Sequence, residues 1–210
     1  MKPINNTVDD LFQPKELAAD EYLNKADGLI YCSKCHTPRQ HRIELKERVF
    51  LPTVRCRCQQ EIYDKEEAER KHQEFLMQVS RLKANGLQDK SLRDYNFAND
   101  KGYNPEMQKA HDYVAHWEEM KANSLGLLLW GDVGTGKSFF AGCIANALLD
   151  KGIPVLMTNF SRILNTLTGM YSDDRNQFID SFNKYSLLII DDLGIERSSE
   201  FALEQVFNVI

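Results

Sequence analysis

The chain has 210 residues, 42% of them hydrophobic and 27% charged, with a formal net charge of −5. That length carries one sizeable core plus a small appended module, and the composition is that of an ordinary water-soluble chain rather than a disordered one. No apolar run reaches the roughly 20 residues of a membrane span, and the N-terminus lacks the basic-then-apolar order of a secretory signal, so the cytoplasm is the expected location. A negative total excludes a wholesale cationic nucleic-acid binder and leaves that role to local basic faces.

Residues 1–28 mix Pro, Asn and Asp around a short expected helix at Lys15–Leu23. Cys32 and Cys35 follow, and about twenty residues later come Cys56 and Cys58; two cysteine pairs at this separation in a chain without a secretory signal read as a tetrahedral Zn²⁺ site. Residues 41–45 and 48–54 are expected to form a hairpin that brings the pairs together, with the metal supplying the stability that so small a module lacks. The second pair is C-x-C, so His36 and His41 stand as alternatives to one sulfur ligand. Arg39, Arg42, Lys46, Arg48, Arg55 and Arg57 outnumber Glu44 and Glu47 here, and they either face an acidic or nucleic-acid partner or offset the negative thiolate centre.

Gln60 to Asn85 is charge-rich with sparse apolar residues and reads as a solvated linker helix ending at Asn85-Gly86. The next segment, from Leu87, has no clear period. A helix over 105–121 follows, capped by Asn104, with Met107, Ala110, Val114 and Trp117 on its core face.

The central motif is Gly131-Asp132-Val133-Gly134-Thr135-Gly136-Lys137-Ser138, which matches the phosphate-binding pattern G-x-x-x-x-G-K-[ST] and predicts ATP binding. Its glycines let the backbone turn several N–H groups inward as an anion nest, with the cradle running from Gly131 to Phe139. Lys137 reaches the β- and γ-phosphates, Ser138 offers its hydroxyl to Mg²⁺, and the helix expected over 137–150 points its positive end at the same charge. Leu125–Trp130 is expected to be the buried strand leading into the loop, so the fold class is α/β with a parallel sheet. A second strand is expected at Pro154–Met157, then a helix pair over 161–170 and 172–184. Its aromatics, Phe160, Tyr171, Phe178, Phe182 and Tyr185, are read mainly as core and otherwise as base-stacking platforms. Leu187–Ile190 then delivers Asp191 and Asp192: Asp191 is assigned to the Mg²⁺ shell, and Asp192 to orienting or deprotonating the attacking water.

GDVGTGKS at 131–138, NFSRILNTL at 159–167, LLIIDDLGIERSSEFALEQVFNVI at 187–210 and the cysteine module resemble the DnaC/DnaI family of replicative helicase loaders, and more loosely the IstB transposition ATPases. The resemblance implies a partial AAA+ phosphate-loop sheet with flanking helices (residues 87–210), preceded by a zinc-binding helicase-interaction domain (1–60) and a linker helix (61–86). It implies ATP, Mg²⁺ and Zn²⁺ as cofactors, a hexameric replicative helicase and single-stranded DNA as partners, and self-association through the ATPase domain. The chain departs from the family in two ways: Asp191-Asp192 stands where many AAA+ enzymes have Asp-Glu, and the sequence ends at Ile210 inside an expected amphipathic helix, before the expected sensor strand and arginine finger. ATP binding therefore follows more directly than turnover. A transposase partner ATPase and a non-hydrolysing zinc/ATP interaction protein remain the alternative readings.

Overall fold

The computed structural model describes residues 17–46 and 48–192. The chain divides into two compact units, residues 1–72 and 73–210. The expected helix after Asp192 lies outside the described residues, as do Glu47 and the start of the expected helix at Lys15.

In the first unit, β1 (Glu21–Leu23) pairs antiparallel with β2 (Ile30–Cys32), and β3 (Ile43–Leu45) pairs antiparallel with β4 (Arg48–Phe50). The second pair is the expected hairpin. The first corrects the helix expected at Lys15–Leu23: its described part ends in a strand. A helix of that length has little stability of its own, and Glu21–Leu23 gains a ladder with Ile30–Cys32 instead. Helix α1 (Arg57–Gly86) is longer than expected and begins inside the second cysteine pair, so Cys58 occupies its first turn. Its apolar residues are mostly solvated, with Ile62 and Leu76 exposed and Val79 buried.

In the second unit, β5 (Val155–Asn159) and β6 (Leu187–Asp191) form a parallel pair in register from Val155 opposite Leu187 to Asn159 opposite Asp191. Helix α4 (Lys137–Asp150) packs against them with little polar face: Ala145, Leu148, Leu149 and Cys143 are fully buried. The helix expected over 105–121 is two helices, α2 (Met107–Ala115) and α3 (Trp117–Ala122), broken at His116. Met107, Ala110, Val114 and Trp117 are buried as their spacing predicts, and Tyr113 joins them. Helices α5 (Phe160–Thr168) and α6 (Ser172–Asp180) follow β5, and Phe160, Ile163 and Leu167 form a second, smaller core cluster with Phe178 and Phe182 against it. Tyr171 is exposed instead.

The unperiodic segment after Leu87 is shaped by α4. It folds into two short 3-10 turns, 90–94 and 97–99. Buried Asn146 donates through Nδ2 to Leu92 O at 2.8 Å and to Tyr95 O at 2.9 Å. Gly142 lets this segment approach, since a Cβ there would stand 2.6 Å from Tyr95 Cβ.

The strand expected at Leu125–Trp130 is not formed. The run is irregular, with Leu128 81% and Trp130 89% exposed. A strand exists only through ladder partners. Gly126–Leu129 and β6 line one cavity of about 430 Å³, and among the described residues no strand lies between them.

Candidate nucleotide site and cysteine cluster

The loop that precedes α4 takes backbone conformations only glycine adopts freely: Gly131 has φ 142°, and Gly134 and Gly136 both have φ 86°. Gly136 caps α4 without a side-chain hydrogen bond, so the first N–H groups of a fourteen-residue helix point into the loop. Lys137 Nζ lies across the loop and donates to Gly131 O and Asp132 O, each at 2.8 Å. Thr135 Oγ1 ties the turn to Asp132 O at 2.9 Å. Val133 projects into solvent.

Parallel pairing brings the acidic pair to the same place. Asp191 ends β6, and Asp192 follows in the left-handed region at φ 54°, its N–H donating to Asp191 Oδ1 at 3.1 Å. Gly131, Lys137, Asp191 and Asp192 line the 430 Å³ cavity; Ser138, Asp191 and Asp192 line a second cavity of about 240 Å³. The residues that sequence assigns to phosphate and those it assigns to the metal are thus gathered around the start of α4, although more than fifty positions separate them. A hydroxyl and two carboxylates are the hard oxygen donors that Mg²⁺ takes.

The sequence reading missed Asn159, Arg162 and Gln88. Asn159 is Asp191's partner across the β5–β6 ladder, and its side chain accepts from Arg162 N at 2.9 Å to cap α5. Arg162 and Thr158 both donate to Gln88 Oε1, at 3.2 and 2.9 Å. An Asn one residue before a helical run is a cap signal that could have located the first of these; Gln88 carries no such signal.

In the first unit the sulfurs of Cys32, Cys35, Cys56 and Cys58 lie within 4.8 Å of one another. Cys58 Sγ is 3.5 Å from both Cys35 and Cys56 and 3.6 Å from Cys32. Four sulfurs around one Zn²⁺ at the usual bond length stand about 3.8 Å apart, so this donor set fits that ion. The cluster contains no histidine: the His36 ring nitrogen lies 3.3 Å from the Tyr22 hydroxyl instead. The Thr37 side chain, hydrogen-bonded to the thiol, holds Cys35 down at about 5, whereas hydrogen bonds with Cys35 and then Cys56 push Cys58 up to about 12. Arg39 reaches this centre from the buried side. Its guanidinium meets Asp20 at 2.5 Å and Glu21 at 2.9 Å, and donates to Cys32 Sγ at 3.6 Å. Its charge is thus shared among two carboxylates and a cysteine sulfur. The other basic residues among 39–57 are exposed, with Arg42 bonded to Glu44.

Among the described residues no helix is long and apolar enough to cross a membrane. The family described as IstB-like ATP binding protein matches residues 56–210. The chain is similar to the replicative helicase loader DnaC of Escherichia coli K12, 29% identical over 98 residues, which are 45% of this chain and 39% of that protein. It is 25% identical over 115 residues to DnaC of Buchnera aphidicola subsp. Schizaphis graminum, covering 53% of this chain and 45% of that one. An uncharacterized protein, YdaV, of Escherichia coli K12 is 27% identical over 85 residues, 40% of this chain and 34% of its own length. In each case the match spans less than half of the relative. No solved structure matches the chain. The family match takes in α1, the glycine-rich loop and the acidic pair together, and since it covers residues 56–210 the chain belongs to the IstB-like ATP-binding proteins.

Proposed function

We propose that the chain is an ATP-binding helicase loader, which engages a hexameric replicative helicase and hands it to single-stranded DNA in the cytoplasm. The observation that carries the ATP half is the gathering of Gly131, Lys137 and Ser138 with Asp191 and Asp192 around the start of α4. Similarity to DnaC supports the helicase half.

The residues divide the work by chemistry. N–H groups of Gly131–Phe139 and the open end of α4 bind the phosphate oxygens. Lys137 exchanges its bonds to the loop carbonyls for bonds to the β- and γ-phosphates. Ser138 and Asp191 would hold Mg²⁺, which screens phosphate charge when bound. Asp192, at the end of the same strand, orients the attacking water or takes its proton. The four cysteines would hold a Zn²⁺ in a structural role, since four sulfur ligands would leave no position for a reacting water. Residues 1–60 then form the helicase-gripping module, 61–86 the linker and 87–210 the ATPase, which self-associates.

The test is capture of a replicative helicase by the full chain with ATP or ADP present, followed by transfer onto a single-stranded oligonucleotide. Nucleotide-dependent capture is expected. Absence of capture at micromolar concentrations, with tight ATP binding intact, overturns the loader reading; capture of a transposase in its place selects the other branch of the family resemblance.

A further inference from the structure

We infer that Gln88 is a positioning residue of the nucleotide site: through Thr158 it fixes the tip of β5 and, across the ladder, the Asp191 carboxylate that would meet Mg²⁺. The inference rests on the ATP-site reading above and adds a residue that has no ligand role in it.

Asp191 ends β6, and among the described residues β5 is the one strand paired with β6, from Val155 opposite Leu187 to Asn159 opposite Asp191. Where the last residues of β5 lie therefore sets where Asp191 lies. The end of α1 runs along the other edge of β5: Leu87 bridges Met157 in parallel, and Gly86 lies so close to Val155 O that a Cβ there would collide with it. Lys83 Nζ also reaches Asp150 Oδ1 of α4 at 2.7 Å, so the last turn of α1 is tied down. Among the described residues, backbone pairing along this edge stops at Met157, two residues short of the rung that carries Asp191. Beyond it the tie is a side chain, with Thr158 Oγ1 donating to Gln88 Oε1 at 2.9 Å.

That bond is placed and built to hold position. Thr158 is buried, so its hydroxyl needs a protein acceptor, and Gln88 Oε1 is the one it has. Arg162 Nη1 donates to the same oxygen at 3.2 Å, which fixes the carboxamide from a second side. Both bonds use Gln88 as an acceptor. Gln88, Thr158 and Asn159 line the 240 Å³ cavity together with Ser138, Asp191 and Asp192, so the tie sits in the wall of the metal side of the site. A group that orients a metal ligand from behind changes metal affinity without touching the metal, typically by 10–100-fold. Phosphate binding by Lys137 and the loop N–H groups does not pass through β5, and it should not feel Gln88.

The full chain is titrated with a fluorescent ATP analogue in Mg²⁺-free buffer, and the complex is then titrated with Mg²⁺. Wild type is expected to bind the analogue without Mg²⁺ and to bind it more tightly as Mg²⁺ is added. Gln88→Ala and Thr158→Val should each raise the Mg²⁺ midpoint about tenfold, the lower end for a residue acting behind a metal ligand, and leave Mg²⁺-free affinity in place. The double variant should be no worse than either single one, because both changes remove the same bond. Gln88→Glu keeps the acceptor oxygens and should restore the wild-type midpoint. Midpoints that neither single substitution moves, in a chain whose wild type responds to Mg²⁺, overturn the role of Gln88 and spare the ATP reading. Additive losses in the double variant also overturn it, as does a Gln88→Glu variant as weak as Gln88→Ala, which would assign the amide nitrogen to direct ligand contact. Equal losses with and without Mg²⁺ reduce Gln88 to a purely structural part. A wild type that binds no analogue refutes Gln88 and the ATP reading together.

Discussion

If the cysteine cluster holds the proposed Zn²⁺, withdrawing the metal should destabilise the first unit and spare the second. Within residues 17–72, the buried apolar side chains among those described are Ile30 and the two cysteines Cys32 and Cys56. Full burial of an Ile contributes about 1.5–3 kcal/mol. A structural Zn²⁺ in a module of this size contributes on the order of 10–16 kcal/mol of folding free energy, so the ion outweighs the apolar core roughly fivefold and the first unit should not survive its loss. The second unit, with its own core around Leu148, Leu149 and Val155, should be indifferent. Both tryptophans, Trp117 and Trp130, lie in the second unit, which makes the measurement clean. One equivalent of Zn²⁺ is expected in the purified chain; on chelation, trypsin should cleave within residues 39–57 while the tryptophan-detected melt stays in place. A fully chelated chain whose residues 39–57 resist trypsin as before refutes the reasoning, as does a purified folded chain without metal.

Lys137→Ala should weaken ATP binding by about 3 kcal/mol, roughly a hundredfold, because charge-assisted bonds to two phosphates are lost; a fluorescent ATP analogue measures this, and unchanged affinity removes Lys137 from the phosphate role. Cys143 is fully buried in α4 and its thiol is pushed up to about 12 by burial, so after chelation an aromatic disulfide reagent at neutral pH should titrate four thiols quickly and the fifth only on unfolding. Five fast thiols would place Cys143 elsewhere. Gly142→Ala should lower the melting temperature even though alanine favours helix by about 1 kcal/mol, because the new methyl meets Tyr95 Cβ at 2.6 Å and overpacking costs about 1–3 kcal/mol. A raised melting temperature would show that the segment after Leu87 does not pack against α4 at this point.

Sequence by itself determined the features whose chemistry is local. The glycines of 131–136 announce a loop whose backbone must enter the left-handed region, and three of them do so. The apolar spacing of Met107, Ala110, Val114 and Trp117 reports one buried face whether or not the helix is interrupted at His116, since the period survives the break. Paired cysteines at that separation report a clustered donor set, and the four sulfurs do lie within 4.8 Å of one another. The strands at β5 and β6 were legible as short apolar runs bounded by polar residues: β5 is buried from Val155 to Thr158, and β6 is half-buried throughout.

Tertiary structure decided what depends on partners distant in the chain. Leu125–Trp130 has the composition of a buried strand, but composition supplies no ladder, and without a neighbour among the described residues the run stays irregular and exposed. Glu21–Leu23 became a strand because Ile30–Cys32 lies beside it. Arg39 looked like one basic residue among six; only folding puts it between Asp20, Glu21 and a cysteine sulfur while leaving the others in water. The choice of four sulfurs over a histidine was likewise made in space, where His36 turns to Tyr22. Gln88 and Arg162 are seventy-four positions apart and meet only because β5 and α5 bring Arg162 to the end of the segment that α4 holds in place. Local pattern encodes which residues prefer burial, solvent or metal; which of them meet is fixed by long-range pairing and packing, whose free energy no short window of sequence contains.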